Sequence, residues 1–483
     1  MKFDYDVIIL GSGPAGFSCA MQSSKFDKKV LMVEANPDHL GGAWINTGTV
    51  PSKSLREASQ LIQKFHTQFG DERGRKPYEK FRMEDILQYK KSILDIKNRK
   101  VKDDLIKNDI ETARGWGKVI DKNTVEVSNQ FGNKVTYTTK FILISTGSRP
   151  NNPENFEIDH NLVLDYESVL NLTHIPRRLV IVGSGIIAFE YATIFAALGT
   201  RISILSDQGR ILPFLDDEIH DHLKKAIKKK NIQLFKNCEI KRVEENKLRT
   251  CTEIAFSSSD DKNRMQVLET EHVLYVGGKV PNTDNIGLSE AGVKTDKQGY
   301  IEVNSNFKSS SDNIYAAGDV IGYPSLASAS FVQGRLAAAD MFGIPSDDFS
   351  SSIPFGIYSI PEISGIGLTE QDAQKQGIDY TVGRAYYENI TQADISHIKD
   401  GLLKLVFRTD DLKLLGVHVI GENAPDLIHL GQSVMYFDGD IRYFIRNVLN
   451  YPSFGEAYRI AAFNGVNRVY KAGVKYKSIL DKK

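Results

Sequence analysis

Three glycines and an acid carry the clearest chemistry in this chain. Gly11, Gly13 and Gly16, in Gly11-Ser12-Gly13-Pro14-Ala15-Gly16, follow a strand-like run from Asp4 to Leu10 and open a helical stretch reaching about Phe26. Gly11 permits a tight turn, Gly13 lets a pyrophosphate approach the backbone, and Gly16 allows helix and strand to pack closely. The helix opened by Pro14 and Ala15 turns unpaired N–H groups and its positive dipole end toward the same phosphates. A second strand runs from Lys29 to Val33, and Glu34, eighteen residues after Gly16, is placed to accept hydrogen bonds from a ribose diol. Glycines alone could form a chance turn; with both strands and the acid they predict a dinucleotide site.

The pattern recurs. A strand at Arg178 to Val182 leads into Gly183-Ser184-Gly185-Ile186-Ile187-Ala188, a helix through Leu198 and a strand from Arg201 to Leu205. Ala188 replaces the third glycine, a substitution the motif allows. Two copies about 170 residues apart predict two dinucleotides, a flavin and a nicotinamide. An acid just past Leu205 would reject a 2′-phosphate, and the neutral Ser206 there favours use of both NAD and NADP. Asp207 acts against it, and Arg210 is the obvious nearby cation.

A third feature is the apolar strand Ile314-Tyr315-Ala316-Ala317 ending in Gly318-Asp319. It sets one carboxylate at a strand terminus, ahead of an Ala- and Ser-rich helix from about Ser325 to Met341, where it could hold the ribityl or pyrophosphate end of a flavin.

The remaining elements must position these groups. Amphipathic helices are predicted over about Ser52 to Phe65 and Arg82 to Ile106, with Thr49 and Lys53 sharing a face at the start of the first and Pro51 tolerated in its opening turn. Short strands around Thr124–Val127 and Val135–Tyr137, about a Gly132-Asn133 turn, lead to Phe141–Ile144, whose Thr146-Gly147 exit and Pro150 hand the chain to a second domain. Val273 to Asn282 closes that domain and returns the chain to the first. From about Ile353, strands (Gly401 to Phe407, Leu414 to Ile420) alternate with helices (Ala424 to Phe437, Gly455 to Tyr470) and carry no nucleotide motif. The expected fold class is α/β, with two Rossmann-like dinucleotide-binding domains and a C-terminal α+β dimerisation domain. The division is 1–150 and 278–350 for FAD, 151–277 for NAD(P), 351–470 for self-association, and a frayed basic tail at 471–483.

Composition removes other classes. Lys plus Arg and Asp plus Glu both number 61, and no basic block or aromatic-interleaved stripe occurs, so nucleic acid is not an expected partner. No apolar run approaches the ~20 residues of a membrane span, and no charged leader precedes the first strand, so a cytoplasmic protein off the membrane is expected. Cys19, Cys238 and Cys251 form neither a CxxC nor a metal-ligand spacing, and no metal is expected.

In this order of features, residues 4 to 469 resemble the pyridine nucleotide-disulfide oxidoreductase family, the flavoproteins with two dinucleotide-binding domains that include glutathione reductase and dihydrolipoamide dehydrogenase. Within it the chain is most similar to the soluble pyridine nucleotide transhydrogenases, through Gly318-Asp319-Val320-Ile321-Gly322-Tyr323-Pro324-Ser325-Leu326-Ala327, Gly356-Ile357-Tyr358-Ser359-Ile360-Pro361-Glu362 and Asn450-Tyr451-Pro452 with Glu456-Ala457-Tyr458-Arg459. The disulfide reductases relay electrons through G-G-x-C-x-x-x-x-C-x-x-S-K. Here Gly41-Gly42-Ala43-Trp44-Ile45-Asn46-Thr47-Gly48-Thr49-Val50-Pro51-Ser52-Lys53 puts Trp44 and Thr49 at the cysteine places. Neither can form a disulfide or a thiolate, so thiol exchange through this segment is closed. Their His-Pro-x-x-x-Glu becomes Tyr451-Pro452-Ser453-Phe454-Gly455-Glu456, and a phenol of pKa near ~10 is a poor proton shuttle at neutral pH. Joint loss of thiols and base fits an enzyme that has no need of the relay.

The resemblance implies FAD held by the first glycine turn and Glu34, with Gly42, Thr49, Lys53, Thr146, Gly147, Gly318, Asp319, Leu326 and Ala327. It implies NAD or NADP held by Gly183, Gly185, Ile186, Ala188, Ser206, Arg210 and Gly278. Lys53 would lie beside the reactive flavin nitrogen and pair with Glu190, and the helix from near Ser325 would aim its dipole at the flavin's pyrimidine end. Ile186 sits where glutathione reductase has a tyrosine lid, and Trp44 is read as a cover for the other flavin face. The implied activity is ping-pong hydride transfer between NADPH and NAD+ by a homodimer or higher homo-oligomer. Alternatives are an NAD(P)H-dependent diaphorase or quinone reductase, a dihydrolipoamide dehydrogenase-like protein without disulfide activity, and a non-catalytic flavin-bearing scaffold.

Overall fold

The computed structural model describes residues 2–36, 38–69, 82–246, 251–262, 264–346, 349–350 and 352–471. The tail expected beyond Lys471 lies outside these residues.

Strand Tyr5–Leu10 forms the centre of the first sheet. Val30–Glu34 and Lys134–Ile144 run parallel on its two sides, with Val7 opposite both Val30 and Phe141. Glu111–Arg114 extends one edge and Ile314–Ala316 the other. Because layers cover both faces, the central strand is apolar from Val7 to Leu10, and Val7, Ile8 and Ile9 are fully buried. On one face the helices Pro14–Lys25 and Ala327–Met341 cross so tightly that a Cβ at Gly334 would lie 2.0 Å from the carbonyl oxygen of Ala15. That crossing brings the first glycine turn and the Gly318-Asp319 terminus to one end of the sheet. The second helix starts at Ala327 rather than near Ser325, because Ser325 sits at φ +49°, turning the chain instead of propagating a helix.

Strands Ser148–Pro150 and Lys279–Pro281 pair antiparallel and form the two-way bridge to a second sheet. This sheet is all-parallel, in the order Gln233–Phe235, Arg201–Leu205, Arg178–Val182, His272–Tyr275, Val163–Leu164. Helix Ile186–Ala197 is apolar on nearly every side and buried along most of its length. A third, antiparallel sheet is ordered Phe355–Ile357, Ile363–Gly367, Leu414–Ile420, Leu402–Arg408, Tyr380–Tyr386, and carries helices Ala424–Tyr436 and Glu456–Lys471. On this last unit Tyr436, Phe437 and Val448 are exposed. Among the described residues no helix is long and apolar enough to cross a membrane.

A buried charge cluster ties the second unit to the third. Lys404, 1% exposed, donates to Asp216, 0% exposed, at 2.9 Å and to Glu370, while Arg384 pairs with Glu218 at 2.8 Å. Burial opposes the charge on both central partners. Even so, Asp216 is held below its ordinary range by the ammonium and its hydrogen bonds, and Lys404 is held above its own by the carboxylates. His418 also faces Asp216, but burial pushes the imidazole down, so Lys404 supplies the attraction at neutral pH.

Candidate functional site

The first two sheets and the edge of the third surround one cavity of about 1810 Å³, lined by both glycine turns. Single-ligand pockets hold roughly 300–1,000 Å³. The volume fits two large ligands together.

The helices Pro14–Lys25, Ile186–Ala197 and Ala327–Met341 open on this cavity, starting after Gly13, Gly185 and Leu326. None has a side-chain cap or an acid in its first turn. Several helices away from the cavity are finished differently: Asp216 caps Asp217–Lys229, Thr369 caps Glu370–Lys375, and Glu84 and Asp85 occupy the first turn of Met83–Lys107. The N–H groups left free at these cavity helices suit anionic ligands. Nothing lies within 4 Å of a Cβ built at Gly13, Gly147, Gly185 or Gly278, so these backbones face open space, whereas one at Gly42 would lie 3.0 Å from Gly13 Cα. A cradle of bare backbone beside free helix ends fits two pyrophosphates.

The two turns share one further detail. Ser12, between Gly11 and Gly13, donates its hydroxyl to Glu34 at 2.5 Å and its N–H at 3.0 Å; Ser184, between Gly183 and Gly185, donates its hydroxyl to Asp207 at 3.1 Å. Glu34 and Asp207 both line the cavity. Ser206 and Arg210, expected at the ribose of the second site, do not. Consecutive residues at the end of an extended strand point to opposite faces: Ser206 turns inward, is 0% exposed, and exchanges hydrogen bonds with the backbone of Gln208. Arg210 is held by Asp217 at 2.5 Å. The side chain at the mouth of that strand is therefore the acid.

Third-glycine positions also differ. A Cβ at Gly16 would stand 2.0 Å from the Gly11 carbonyl oxygen, while the second turn holds Ala188, buried beneath its helix and away from the cavity.

Lys53, in the first helical turns of Thr49–Phe69, donates to Glu190 at 2.7 Å. The other oxygen of Glu190 accepts the N–H of Tyr358 at 2.8 Å, and the Lys53 ammonium lies 4.8 Å from the Tyr358 ring centre. All three units thus meet at one carboxylate. Tyr358 escaped the sequence reading as a site residue; its block was noted only for likeness, and nothing in its spacing ties it to Glu190. Burial first, then Glu362, Asp426 and Glu190, push the phenol of Tyr358 up, so it stays protonated. Asp319 accepts from Ser148 at 2.9 Å and Lys279 at 2.9 Å, and Thr146 donates to the Asn282 carbonyl at 2.7 Å, pinning the bridge between the first two units. Leu326 and Ala327 lie at the cavity wall, as does half-buried Ile186.

Trp44 and exposed Thr49 line the cavity, Trp44 standing edge-on to Phe331 with ring centres 5.0 Å apart. Cys238 also lines it, beside Glu239, but burial pushes its thiol up to about 11; Cys19, fully buried, is pushed up to about 12. Neither forms a thiolate near neutral pH. Tyr451 is exposed, bonds to Thr391 at 2.8 Å and lies outside its own chain's cavity, while Glu456 pairs with Arg459 instead.

Residues 5–334 match the model for pyridine nucleotide-disulphide oxidoreductases, and residues 353–462 the dimerisation domain of the same proteins. The chain belongs to the pyridine nucleotide-disulphide oxidoreductase family. Curated relatives span the whole length. A soluble pyridine nucleotide transhydrogenase of a Marinomonas species is 37% identical over 96% of this chain and 99% of its own. Those of Pseudomonas aeruginosa and Azotobacter vinelandii are 37% and 36% identical, each over 97% of this chain and 99% of theirs. Among solved structures, the HOCl-induced flavoprotein disulfide reductase RclA from Escherichia coli superposes with a TM-score of 0.86 at 22% identity, over 96% of this chain and 99% of its own. That likeness shows the fold shared with flavoprotein reductases.

Proposed function

We propose that this family member is an FAD-dependent transhydrogenase that carries hydride between NADPH and NAD+ without a redox disulfide. The observation that carries the reading is the joint state of the cavity: two glycine turns with free helix ends, a Lys53–Glu190 pair between them, and Trp44 and Thr49 where the thiols of a disulfide reductase would stand. Curated relatives bearing the transhydrogenase name over the full length support it.

In this reading residues 1–150 and 278–350 hold FAD, 151–277 hold the nicotinamide nucleotide, and 351–470 join two copies into a cytoplasmic homodimer. FAD, when bound, supplies reversible two-electron hydride storage, the chemistry no side chain here can perform. The protein supplies position and charge. Gly11, Gly13 and Gly16 would let the backbone close on one pyrophosphate while Glu34, oriented by Ser12, would take the adenosine ribose, with Asp319 and Gly42 also holding the flavin nucleotide. Gly183, Gly185 and Ile186 do the equivalent work for the nicotinamide nucleotide. Lys53 brings a fixed positive charge to the site of electron gain, and Glu190, locked by Lys53 and the Tyr358 N–H, cannot swing away when one nicotinamide leaves and another arrives. Donor and acceptor are the same kind of molecule, so no second acid–base pair is required.

Anaerobic titration of the yellow protein with NADPH, followed by NAD+, tests the reading. Bleaching of the flavin and then full return of its oxidised spectrum are expected; an oxidised spectrum that NADPH never bleaches, or a bleached one that NAD+ never restores, refutes it.

A further inference from the structure

The two nucleotide turns of this chain are built alike around an acid, and that likeness decides which nicotinamide the second one prefers. In each, the serine between the first two glycines orients a carboxylate at the end of the following strand, twenty-one residues past Gly13 for Glu34 and twenty-two past Gly185 for Asp207. A carboxylate so placed accepts hydrogen bonds from the 2′- and 3′-hydroxyls of an adenosine ribose, and a phosphate at the 2′ position meets it charge against charge.

Among the described residues, no lysine or arginine that lines the cavity is left unpaired to offset the repulsion. The three lysine and arginine side chains lining the cavity are each matched by a carboxylate: Lys53 by Glu190, Lys279 by Asp319 and Arg149 by Asp284, at 2.7, 2.9 and 2.6 Å. Arg210 is committed to Asp217 and faces elsewhere. Glu154 lines the cavity with Asp207, and their field adds to burial in raising the phenol of Tyr275, which lines it too, while Glu239 on the same wall is paired with Lys241. The adenosine end of the second site is therefore acidic, with Ser206 sealed beneath it.

We infer that Asp207 makes the nicotinamide site selective for the unphosphorylated ribose, so that NADH and NAD+ are the tightly bound pair and NADPH a weakly bound donor. The inference rests on the transhydrogenase reading and sets its asymmetry: exchange among NAD-type nucleotides runs at low concentration, and the phosphorylated donor enters only when abundant.

The test is anaerobic stopped-flow reduction of the holoenzyme flavin by NADH and by NADPH across concentration, in the native protein and in Asp207→Asn and Asp207→Ser. The native protein should favour NADH by about 100-fold in the second-order rate constant for reduction. Both variants should lose NADH efficiency, gain NADPH efficiency and bring the ratio within about tenfold of unity. A native ratio near one, or variants that leave the ratio unchanged at retained flavin content, overturns the assignment of Asp207. Reoxidation of the NADH-reduced protein by thio-NAD+ is followed separately: its absence refutes hydride exchange between nicotinamides, whatever the NADH to NADPH ratio.

Discussion

The two glycine turns perform the same local task with different tolerances. The first is closed tightly: a Cβ at Gly11 would lie 2.4 Å from the Ser145 carbonyl oxygen and one at Gly16 2.0 Å from the Gly11 oxygen, and Glu34 receives two hydrogen bonds from Ser12. The second accepts alanine at its third small position, and Asp207, on an exposed corner, receives a single, longer hydrogen bond from its turn serine and one from the side chain of Gln208. A tight, doubly braced turn suits a ligand that stays. A looser one suits a ligand that must leave in every cycle.

The largest effects should separate these roles. Gly13 and Gly185 face open space, so a side chain at either intrudes on the ligand and not on the fold. Gly13→Val should cost about 3 kcal/mol of flavin binding, roughly a hundredfold, and yield colourless protein by flavin-to-protein ratio. Gly185→Val should stay yellow while NADH affinity falls by a similar factor. Equal flavin loss in both variants would erase the distinction.

Of the same order is the effect expected at the clamp that holds the second unit to the third. Lys404→Met strands Asp216 at 0% exposure and should lower urea stability by about 3–5 kcal/mol. Lys229→Ala removes a pair that crosses the same boundary in water, Lys229 to Asp400 at 2.6 Å, and should cost under about 1 kcal/mol. The pH dependence follows from the directions of the shifts. Asp216 sits below its ordinary 3.8 when folded, so its contribution is complete above that value and lost as pH falls through the lowered one. Lys404 sits above 10.5, so its contribution is complete below that value and lost as pH rises through the raised one. The stability gap between native protein and Lys404→Met should be flat across the neutral range and shrink at both extremes.

Smaller again is the effect expected at the junction between the turns. Lys53→Met removes the cation paired with Glu190 and should slow flavin reduction by roughly 10- to 100-fold at unchanged flavin content, with Glu190→Gln milder. A double variant no slower than Lys53→Met alone would show, by stopped flow, that Glu190 acts through Lys53.

Much of this was legible in the chain. Both glycine turns, the strands beside them and the Gly-Asp terminus follow from local spacing, because phosphate binding at a helix end is a local demand. Lys53 and Glu190 meet across 137 residues, and only likeness to a family could pair them. The misreading of Ser206 has a simple cause: the strand ends one residue before the chain turns, and which of two neighbours faces the cavity depends on that turn. Asp207 faces it because Ser206 is consumed in bonding to Gln208. Tyr358 escaped because its partner lies in another unit, and the start of the helix at Ala327 because Ser325 takes a left-handed turn that serine rarely adopts.

The central claim is that hydride enters and leaves through nicotinamides alone, with no thiol in the path. Its most direct test is a two-step anaerobic experiment on protein whose accessible cysteines have been alkylated with iodoacetamide: reduction by one equivalent of NADH, then addition of thio-NAD+. The account predicts complete bleaching and complete recovery at rates matching untreated protein, with thio-NADH formed in equal amount. Loss of either step on alkylation, or a reduced flavin that thio-NAD+ leaves reduced, would contradict it.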